Sequence, residues 1–318
     1  MRIVFMGTPD FAVPSLRALL DEGYNVVAVV TQPDRPKGRK KVLTPSPVKE
    51  SALGFGLPVL QPERMRSPEA VEELRAYAPD LIVTAAYGQI LPKAVLEMPR
   101  YRCINVHGSL LPGYRGGAPI QRSIINGEPS TGVTLMYMAE GLDTGDMISS
   151  VELPIEDSDH SGTMFSKLSI AGAELLIKTL PSILDGTAKA IPQDDSLATY
   201  APNLTREDER IDWGKSARSL FNQTRGLYPM AGAFTLLNGE TFKIWSCSPI
   251  PGGGAASSGI APGTVVEAGS EGIVVQCGEG RLLLKDIQPA GKVVMKASEW
   301  LKGSRLSPGA VFGEGDGR

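Results

Sequence analysis

The chain has 318 residues, of which 42% are hydrophobic and 21% are charged, and its formal net charge is −3. This composition excludes a disordered or fibrous protein and predicts a globular chain long enough for two domains. The acidic balance argues against a protein that coats nucleic acid over its whole surface, although it leaves room for a local basic contact.

The first half of the chain alternates apolar strands with helices. Six β-branched runs predict strands at residues 2–7, 25–31, 57–61, 80–88, 103–108 and 132–138. Helices are predicted at residues 13–23, 67–78, 118–127 and 161–184, where Gly23 ends the first helix and Ser67 caps the second. This alternation predicts an α/β fold with a doubly wound, mostly parallel sheet, whose ligands collect at the carboxyl ends of the strands.

The second half of the chain has a different pattern. Residues 187–208 lack a sustained period and are predicted as a linker. A short helix near residues 215–225 follows, and then short strands alternate with glycine turns, including a hairpin at Asn238 and Gly239. This pattern predicts a small, OB-like antiparallel β-barrel, with residues 251–259 as a flexible loop. We therefore expect an α/β domain at 1–188, a linker at 189–208 and a C-terminal β-barrel domain at 209–318.

Cysteine and histidine are scarce. The three cysteines, Cys103, Cys247 and Cys277, are widely spaced in apolar segments, and the chain has only two histidines. This spacing predicts neither a disulfide framework nor a zinc site, and we expect no protein-bound metal. No run of about 18 apolar residues predicts a membrane span, and the first residues lack the pattern of a signal peptide. We therefore expect a cytoplasmic protein with no membrane contact.

Polar residues, rather than a glycine-rich phosphate motif, mark the predicted strand ends. Neither GxGxxG nor GxxxxGK[ST] follows the first strand, so NAD or ATP binding is not predicted. Asn105 and His107 alternate with Val106, which places their side chains on one face of a strand. The amide of Asn105 can donate a hydrogen bond to a developing oxyanion, and the imidazole of His107 can donate or accept a proton. Asp143, after the next strand, can orient an imidazole. Spacing alone also fits a structural interpretation, in which Asn105 and His107 are a buried hydrogen-bonded pair and Asp143 is a solvated turn residue. The active-site interpretation and this structural one both stay open.

Several longer stretches resemble one family. GTPDFAVPSL, TQPDRPKGR, AYGQILP, INVHGSLLPGYRGGAPIQRSI and GLDTGDM are similar to the methionyl-tRNA formyltransferases, and RIDW and IQPAGK extend the similarity into the second half. The SLLPGYRG stretch alone would mark only the wider group of enzymes that use 10-formyltetrahydrofolate. The resemblance therefore covers essentially the whole chain.

The resemblance implies a reaction and three catalytic residues. The α-amine of methionine on initiator Met-tRNA attacks the formyl carbon of 10-formyltetrahydrofolate, and formylmethionyl-tRNA for translation initiation and tetrahydrofolate are released. The family's catalytic set falls on Asn105, His107 and Asp143. In this hypothesis Asn105 and a cationic or proton-donating His107 bind the oxyanion of the tetrahedral intermediate, while Asp143 orients His107 and assists proton transfer. The amine is itself the nucleophile, so no covalent enzyme intermediate is expected.

The resemblance also implies where the two substrates bind. The folate cosubstrate is expected to contact Ser109, Leu110, Leu111, Pro112, Gln89, Ile90, Leu91 and Gly141. The basic stretch RPKGRKK is expected to contact the acceptor stem through Arg35, Lys37, Arg39, Lys40 and Lys41, with Arg39 entering the helix end, although such a run can also be a solvated loop. The C-terminal barrel would assist tRNA binding, and we expect a monomer.

Alternative functions remain possible at this point. Folate-dependent formyl transfer to a small amine, such as glycinamide ribonucleotide, would share the catalytic set but would need neither a barrel nor a basic loop. The chain could also be interpreted as a 10-formyltetrahydrofolate hydrolase or as the formyl-handling part of a larger dehydrogenase. An inactive α/β scaffold that binds RNA belongs to a different class, and the intact Asn105, His107 and Asp143 argue against it.

Overall fold

The computed structural model describes residues 1–38, 41–251 and 259–313. Contacts divide the chain into two units. The first comprises Met1–Pro119, Ser130–Pro154 and Phe165–Pro202, and the second comprises Ile120–Pro129, Ile155–Met164 and Asn203–Arg318.

The first half of the chain is built as expected from alternating strands and helices. The strands are β1 Ile3–Gly7, β2 Val26–Val30, β3 Arg35–Lys37, β4 Val42–Thr44, β5 Val59–Leu60, β6 Leu81–Ala85, β7 Cys103–His107, β8 Ser130–Tyr137 and β9 Met147–Pro154. The helices are α1 Val13–Asp21, α2 Pro47–Gly54, α3 Pro68–Arg75, α4 Lys93–Leu96, α5 Pro119–Asn126 and α6 Ser161–Leu184.

Local sequence signals explain where these helices begin and end. Ser67 caps α3 as predicted, because its hydroxyl accepts a hydrogen bond of 3.2 Å from the Ala70 amide. Gly23 follows α1 at a φ of 75°, a backbone conformation that favours glycine. At the start of α6, the Thr163 amide donates to Nδ1 of His160 over 3.3 Å, so this histidine caps the helix.

The large sheet has the order β5-β2-β1-β6-β7-β8-β9. Its first five strands are parallel, which confirms the doubly wound, mostly parallel α/β prediction. The run at residues 132–138, predicted with the parallel strands, is antiparallel to β7, and β9 continues antiparallel beside it. A buried apolar run carries no information about strand direction, which explains the difference.

The second unit is built around an antiparallel sheet. Its elements after residue 203 are α7 Arg206–Glu209, α8 Ala217–Leu227, β10 Ala233–Leu237, β11 Glu240–Pro249, β12 Val265–Gly269, β13 Gly272–Gln276, β14 Arg281–Gln288, β15 Met295–Lys296 and α9 Ala297–Leu301. The strands pair in the path β10-β11-β14-β13-β12, with β15 beside β14, which confirms a small C-terminal β domain. Asn238 and Gly239 form the predicted hairpin turn at φ values of 52° and 78°. Within the predicted loop at 251–259, residues 252–258 lie outside the described part of the chain.

An aromatic cluster forms the core of this second unit. Trp213 stacks on Phe312 at 5.9 Å between ring centroids, and Phe242 lies 5.2 Å from the same Phe312 ring. The indole nitrogen of Trp213 donates a 3.0 Å hydrogen bond to Thr235 Oγ1, which satisfies its only polar atom inside the core.

The predicted linker at 187–208 is more ordered than its composition suggests. Residues 191–201, called here the 191–201 segment, pair with other parts of the first unit. Ile191 exchanges two backbone hydrogen bonds with Met147. Arg115 is tied by its backbone to Thr199 and Ala201. No periodic pattern marks this segment, because apart from a single 3₁₀ turn at Asp195–Leu197 it is held by hydrogen bonds to distant residues.

Candidate active site

Asn105 and His107 lie together near the carboxyl end of β7. They pair with Met136 and Thr134 of β8, and Val106 between them faces the opposite side of the sheet. His107 is buried and Asn105 is half-buried. The structure therefore brings the two side chains to one face, as the alternation of the sequence predicts.

Thr84 fixes the Asn105 amide and was missed by sequence reasoning. Its Oγ1 lies 2.8 Å from Asn105 Oδ1, and the two residues are paired neighbours on β6 and β7. Within the described part of the chain, the Asn105 amide nitrogen has no hydrogen-bond partner. That nitrogen can therefore donate to a ligand oxygen. A polar residue within the apolar run LIVTA was the available signal.

The His107 ring lies between two oxygen atoms. Its Nε2 donates to the Tyr114 carbonyl oxygen over 3.2 Å, since a carbonyl oxygen can only accept. Its Nδ1 lies 3.7 Å from Asp143 Oδ2, which is close enough for charge attraction but longer than a hydrogen bond. The carboxylate can thus stabilise positive charge on this ring while the ring handles a proton.

The loop between β8 and β9 delivers Asp143. Because β8 runs antiparallel to β7, its last residue, Tyr137, pairs with Ile104 near the start of β7. The loop that follows must therefore run back along β7 to reach His107. Asp143 has a φ of 50°, and its Oδ2 accepts a 2.8 Å hydrogen bond from the Gly116 amide. At Gly145, an added Cβ would stand 1.8 Å from the Tyr137 carbonyl oxygen, so only glycine fits this return.

The predicted folate loop at Ser109–Pro112 is held by internal hydrogen bonds. The Ser109 hydroxyl donates to the Gly113 carbonyl oxygen over 2.7 Å, and Thr134 Oγ1 accepts from the Leu111 amide. Leu111 is buried, while Leu110 and Pro112 are half-buried. The Ser109 hydroxyl therefore shapes the loop, and a ligand beside it would meet this fixed backbone.

The other predicted folate residues are in three different environments. The Gln89 amide is bonded to the protein's own backbone, accepting from the Met65 amide and donating to the Pro62 carbonyl oxygen. Ile90 is 81% exposed and Leu91 is buried. Gly141 is exposed in the loop that carries Asp143. A cavity of about 340 Å³ lies at this edge of the sheet, lined by Gln32, Glu63, Arg64, Arg66, Gly88, Gln89 and Ile90.

The basic stretch forms a β-hairpin rather than an irregular loop. Arg35–Lys37 pairs antiparallel with Val42–Thr44. Arg35 is exposed, 3.8 Å from Glu63, and Lys41 is exposed in the turn. The Lys37 side chain and all of Arg39 and Lys40 lie outside the described residues. The apolar side chains of Val42 and Leu43 are 60% and 66% exposed, so the hairpin presents apolar as well as basic groups.

The 191–201 segment contributes further residues to this site. Gln193 donates hydrogen bonds to the carbonyl oxygens of Asp143 and Gly145, over 2.7 and 2.8 Å. Arg115, in the glycine-rich loop after β7, is buried and bonded to Gln193 and Asp195. No local sequence pattern pointed to either Arg115 or Gln193 as part of this site.

The cysteines do not take part in the site. All three are free and buried, and burial raises the pKa of Cys103 and of Cys247 to about 12. Cys103 is thus a small residue of the core. Across residues 1–38, 41–251 and 259–313, no group of three metal-ligating side chains is present, and no helix is long and apolar enough to cross a membrane.

The second unit has a larger cavity of its own, of about 1250 Å³. Its lining includes the aromatic residues Phe221, Tyr228 and Trp245 and the cations Arg218, Arg225 and Lys285. None of the predicted catalytic or folate residues lines it. Its aromatic and basic lining distinguishes it from the site on β7.

Comparison with known protein families matches two consecutive regions of the chain. A family model described as formyl transferase matches residues 1–180, and one described as formyl transferase, C-terminal domain, matches residues 203–305. The methionyl-tRNA formyltransferase of Bacillus subtilis is 56% identical over 313 residues, covering 98% of both chains. That of Halalkalibacterium halodurans is 55% identical over the full length of both.

The chain belongs to the methionyl-tRNA formyltransferase family. It is a formyltransferase, and the family resemblance in its motifs is thereby confirmed. Among solved structures, an N-formyltransferase from Helicobacter canadensis in complex with folinic acid and dTDP-3-aminofucose has a TM-score of 0.67 at 19% identity, over 90% of this chain and 98% of that one. HypX from Aquifex aeolicus in complex with tetrahydrofolic acid has a TM-score of 0.63 at 18% identity, over 95% of this chain and 47% of that one. These two structures share the fold.

Proposed function

We propose that the protein transfers the formyl group of 10-formyltetrahydrofolate to the α-amino group of methionine on initiator Met-tRNA. One observation carries this proposal within the family: the His107 ring lies between the Tyr114 carbonyl oxygen and the Asp143 carboxylate, with Asn105 on the same face of β7. An amide donor, an imidazole and a carboxylate are the groups that acyl transfer to an amine requires.

Each catalytic group has a separate task in this mechanism. When the amine attacks the formyl carbon, the carbonyl oxygen becomes an oxyanion, and the Asn105 amide and the protonated His107 ring stabilise it. Asp143 lies 3.7 Å from the ring and stabilises its positive charge. The attacking amine loses one proton to the Asp143 carboxylate, and the protonated His107 ring gives one proton to N10 as the bond between the formyl carbon and N10 breaks. Neutral tetrahydrofolate is released, and proton transfer from Asp143 to His107 restores both groups. Because the amine attacks directly, the buried thiols are not needed.

We place the folate between the Ser109–Pro112 loop and the stretch around Gln89 and Ile90. The exposed Ile90 can cover an aromatic ring, and the backbone of the Ser109–Pro112 loop is held in one conformation by Thr134. The Arg64 and Arg66 side chains beside Gln89 supply positive charge near an acidic ligand. No metal is required by this chemistry.

We place the tRNA acceptor stem against the β3–β4 hairpin. Its exposed cations favour phosphate contact, and exposed Val42 and Leu43 can pack on the end of a base-paired helix. The C-terminal domain would assist, since its larger cavity combines aromatic rings with arginine and lysine, a combination suited to single-stranded RNA. In this proposal the α/β domain at 1–188 catalyses the transfer, the protein acts as a monomer in the cytoplasm, and residues 209–318 add affinity for tRNA.

One assay distinguishes this function from its alternatives. The protein is incubated with 10-formyltetrahydrofolate and charged initiator tRNA, and formylmethionine on the tRNA is measured. We expect formylated tRNA, with little turnover of glycinamide ribonucleotide or water. Turnover of a small amine or water without formylated tRNA would overturn the proposed substrate, and no turnover of any kind would favour an RNA-binding scaffold.

A further inference from the structure

The 191–201 segment lies between the two family matches, which end at residue 180 and resume at residue 203. It is part of the first unit, and its backbone exchanges hydrogen bonds with Met147, at the start of β9. Its side chains reach the loop that carries Asp143. The chain beyond the predicted α/β domain is thus in direct contact with the catalytic loop.

The side-chain amide of Gln193 makes four hydrogen bonds. Its Nε2 donates to the Asp143 carbonyl oxygen over 2.7 Å and to the Gly145 carbonyl oxygen over 2.8 Å. Its Oε1 accepts from Arg115 Nε over 3.0 Å and from Arg115 Nη2 over 2.8 Å. Both amide hydrogens and both lone pairs are therefore used, which fixes the orientation of the amide.

Arg115 holds Gln193 in this orientation. Its side chain is 2% exposed, and Nη2 also donates to Asp195 Oδ1 over 2.7 Å. A buried guanidinium needs acceptors, and Gln193 and Asp195 both supply them from the 191–201 segment. The Arg115 side chain thereby joins the glycine-rich loop after β7 to the 191–201 segment.

The same segment also fixes the amide that binds the Asp143 carboxylate. Gly116 donates to Asp143 Oδ2 over 2.8 Å. Its neighbour Arg115 donates from its amide to the Thr199 carbonyl oxygen and accepts from the Ala201 amide. At Gly116 itself, an added Cβ would stand 2.7 Å from the Ala201 carbonyl oxygen. The 191–201 segment therefore holds both the backbone and the carboxylate of Asp143.

We propose that Gln193 is a positioning residue for formyl transfer, which keeps the Asp143 carboxylate beside the His107 ring through the loop carbonyl oxygens that it binds. The inference rests on the proposed function, because it assigns Gln193 a role in that reaction. Gln193 touches neither the reacting atoms nor the His107 ring. Arg115 acts one step further away, by fixing the Gln193 amide.

Removing the amide should lower turnover. We expect Gln193→Ala to reduce kcat by on the order of 10-fold to 100-fold, since small displacements of a catalytic group have effects of this size. The KM values for folate and tRNA should change less than about twofold, because Gln193 does not contact them. Gln223→Ala is the matched control: Gln223 Nε2 likewise binds two backbone carbonyl oxygens, those of Asp208 and Arg210, in the second unit. It should lower stability while kcat stays unchanged.

Gln193→Glu separates positioning from simple stabilisation. The carboxylate keeps the acceptors that Arg115 needs, but it replaces the two donors that bind the Asp143 and Gly145 carbonyl oxygens. Positioning through the loop predicts a loss of kcat at least as large as that of Gln193→Ala. If Gln193 served only as a hydrogen-bond acceptor for Arg115, the glutamate variant would keep wild-type kcat, and that result would overturn the proposal.

A double-mutant cycle tests whether Gln193 acts through Asp143. In an Asp143→Ala background, Gln193→Ala should lower kcat by less than about twofold further, since the group that it positions is already absent. A full additional loss would mean an independent structural effect, and the proposal would then be wrong.

Hydrogen exchange provides a measurement that needs no substrate. We expect the Gly116 amide to exchange at least 10-fold faster in Gln193→Ala and at the wild-type rate in Gln223→Ala. Unchanged exchange at Gly116 in both variants would overturn the proposal. A wild-type protein that does not formylate Met-tRNA would instead overturn the proposed function, whereas an active wild type with an unaffected Gln193→Ala variant would overturn only the role of Gln193.

Discussion

At the scale of single residues, the site depends on which polar atoms the protein leaves free. Thr84 occupies Asn105 Oδ1, and the Tyr114 carbonyl oxygen holds His107 Nε2. In our proposal, the Asn105 amide nitrogen therefore remains free to donate to the developing oxyanion. Donors held in place before the reaction stabilise a transition state without further reorganisation.

We expect Asn105→Ala and His107→Ala each to lower kcat by on the order of 10²-fold to 10³-fold, because each removes a group that acts mainly in the transition state. Steady-state kinetics with saturating folate and Met-tRNA measures this effect. Thermal unfolding of each variant serves as the control for folding. Near-full turnover by either variant would rule out its catalytic role.

The cysteines provide a test of burial that is independent of activity. Burial raises the pKa values of Cys103, Cys247 and Cys277 to about 12, so at pH 8 all three remain neutral thiols. We expect less than one thiol per native chain to react with an aromatic disulfide reagent at pH 8, and all three to react after unfolding. Rapid labelling of the native protein would contradict the described packing.

The candidate catalytic residues were predictable where a short pattern carried the information. Asn105 and His107 share a face because side chains alternate along a strand, and the family motif predicted Asp143. Thr84 was within reach of the same argument, since it interrupts an apolar strand. Gln193 was not, because it reaches the site through bonds across 50 residues to Asp143 and 78 to Arg115. No local pattern encodes such contacts.

At the scale of elements, the antiparallel β8–β9 pair decides how Asp143 reaches His107. The strand end lies beside Ile104, and the loop must return along β7 within a few residues. The sequence predicted most strands and helices of this half correctly from their apolar periods. It missed β9 because this edge strand has no buried apolar run, its first half does not alternate, and it begins directly after a glycine-rich loop.

The loop between β8 and β9 is so close to Tyr137 that we expect a single added methyl group at Gly145 to disturb it. In Gly145→Ala the new Cβ would stand 1.8 Å from the Tyr137 carbonyl oxygen, so the loop must move. We expect a loss of about 1–3 kcal/mol in the free energy of unfolding, together with a lower kcat, because the same loop carries Asp143. Chemical denaturation and steady-state kinetics measure the two effects.

Gly54→Ala is the control for that experiment. Gly54 lies at the end of α2, and an added Cβ would meet no atom within 4 Å. This variant should keep wild-type stability within about 0.5 kcal/mol and wild-type kcat. If Gly145→Ala were as stable and active as Gly54→Ala, the described path of the Asp143 loop would be wrong.

At the scale of the whole molecule, the first unit carries the candidate catalytic residues and the second unit carries the cavity with aromatic and basic side chains. The length of the chain predicted two domains, and the different pattern of strands and helices in each half predicted the two fold classes. The charge of the chain gave less information, because a net charge of −3 conceals the local cluster at residues 35–41. That cluster, and not the overall charge, is the basis for tRNA contact in our proposal.

Local phosphate contact predicts a salt effect that differs between the two substrates. Between about 50 and 200 mM salt, we expect the KM for Met-tRNA to rise by about an order of magnitude and the KM for folate by less than twofold, because phosphate contacts release counterions. Initial rates over a salt series measure both. A folate KM as sensitive to salt as the tRNA KM would contradict this expectation.

The hairpin can be tested in the same series. Arg35→Ala should reduce the slope of the salt dependence by about one unit, since it removes one phosphate contact. Arg17→Ala, an exposed arginine on α1 and away from the hairpin, should leave the slope unchanged. Equal slopes for the wild type and Arg35→Ala would remove Arg35 from the proposed contact.

The position of Gln193 and Asp195 limits how this gene can be recombined. A chimera joined at residue 188 would keep Asn105, His107 and Asp143, but it would replace both acceptors of the buried Arg115 guanidinium. A buried charge that loses its partners destabilises a protein by about 3–5 kcal/mol. Exchange of the C-terminal half is therefore compatible with a working catalytic loop only when the junction falls after Pro202, where the first unit ends.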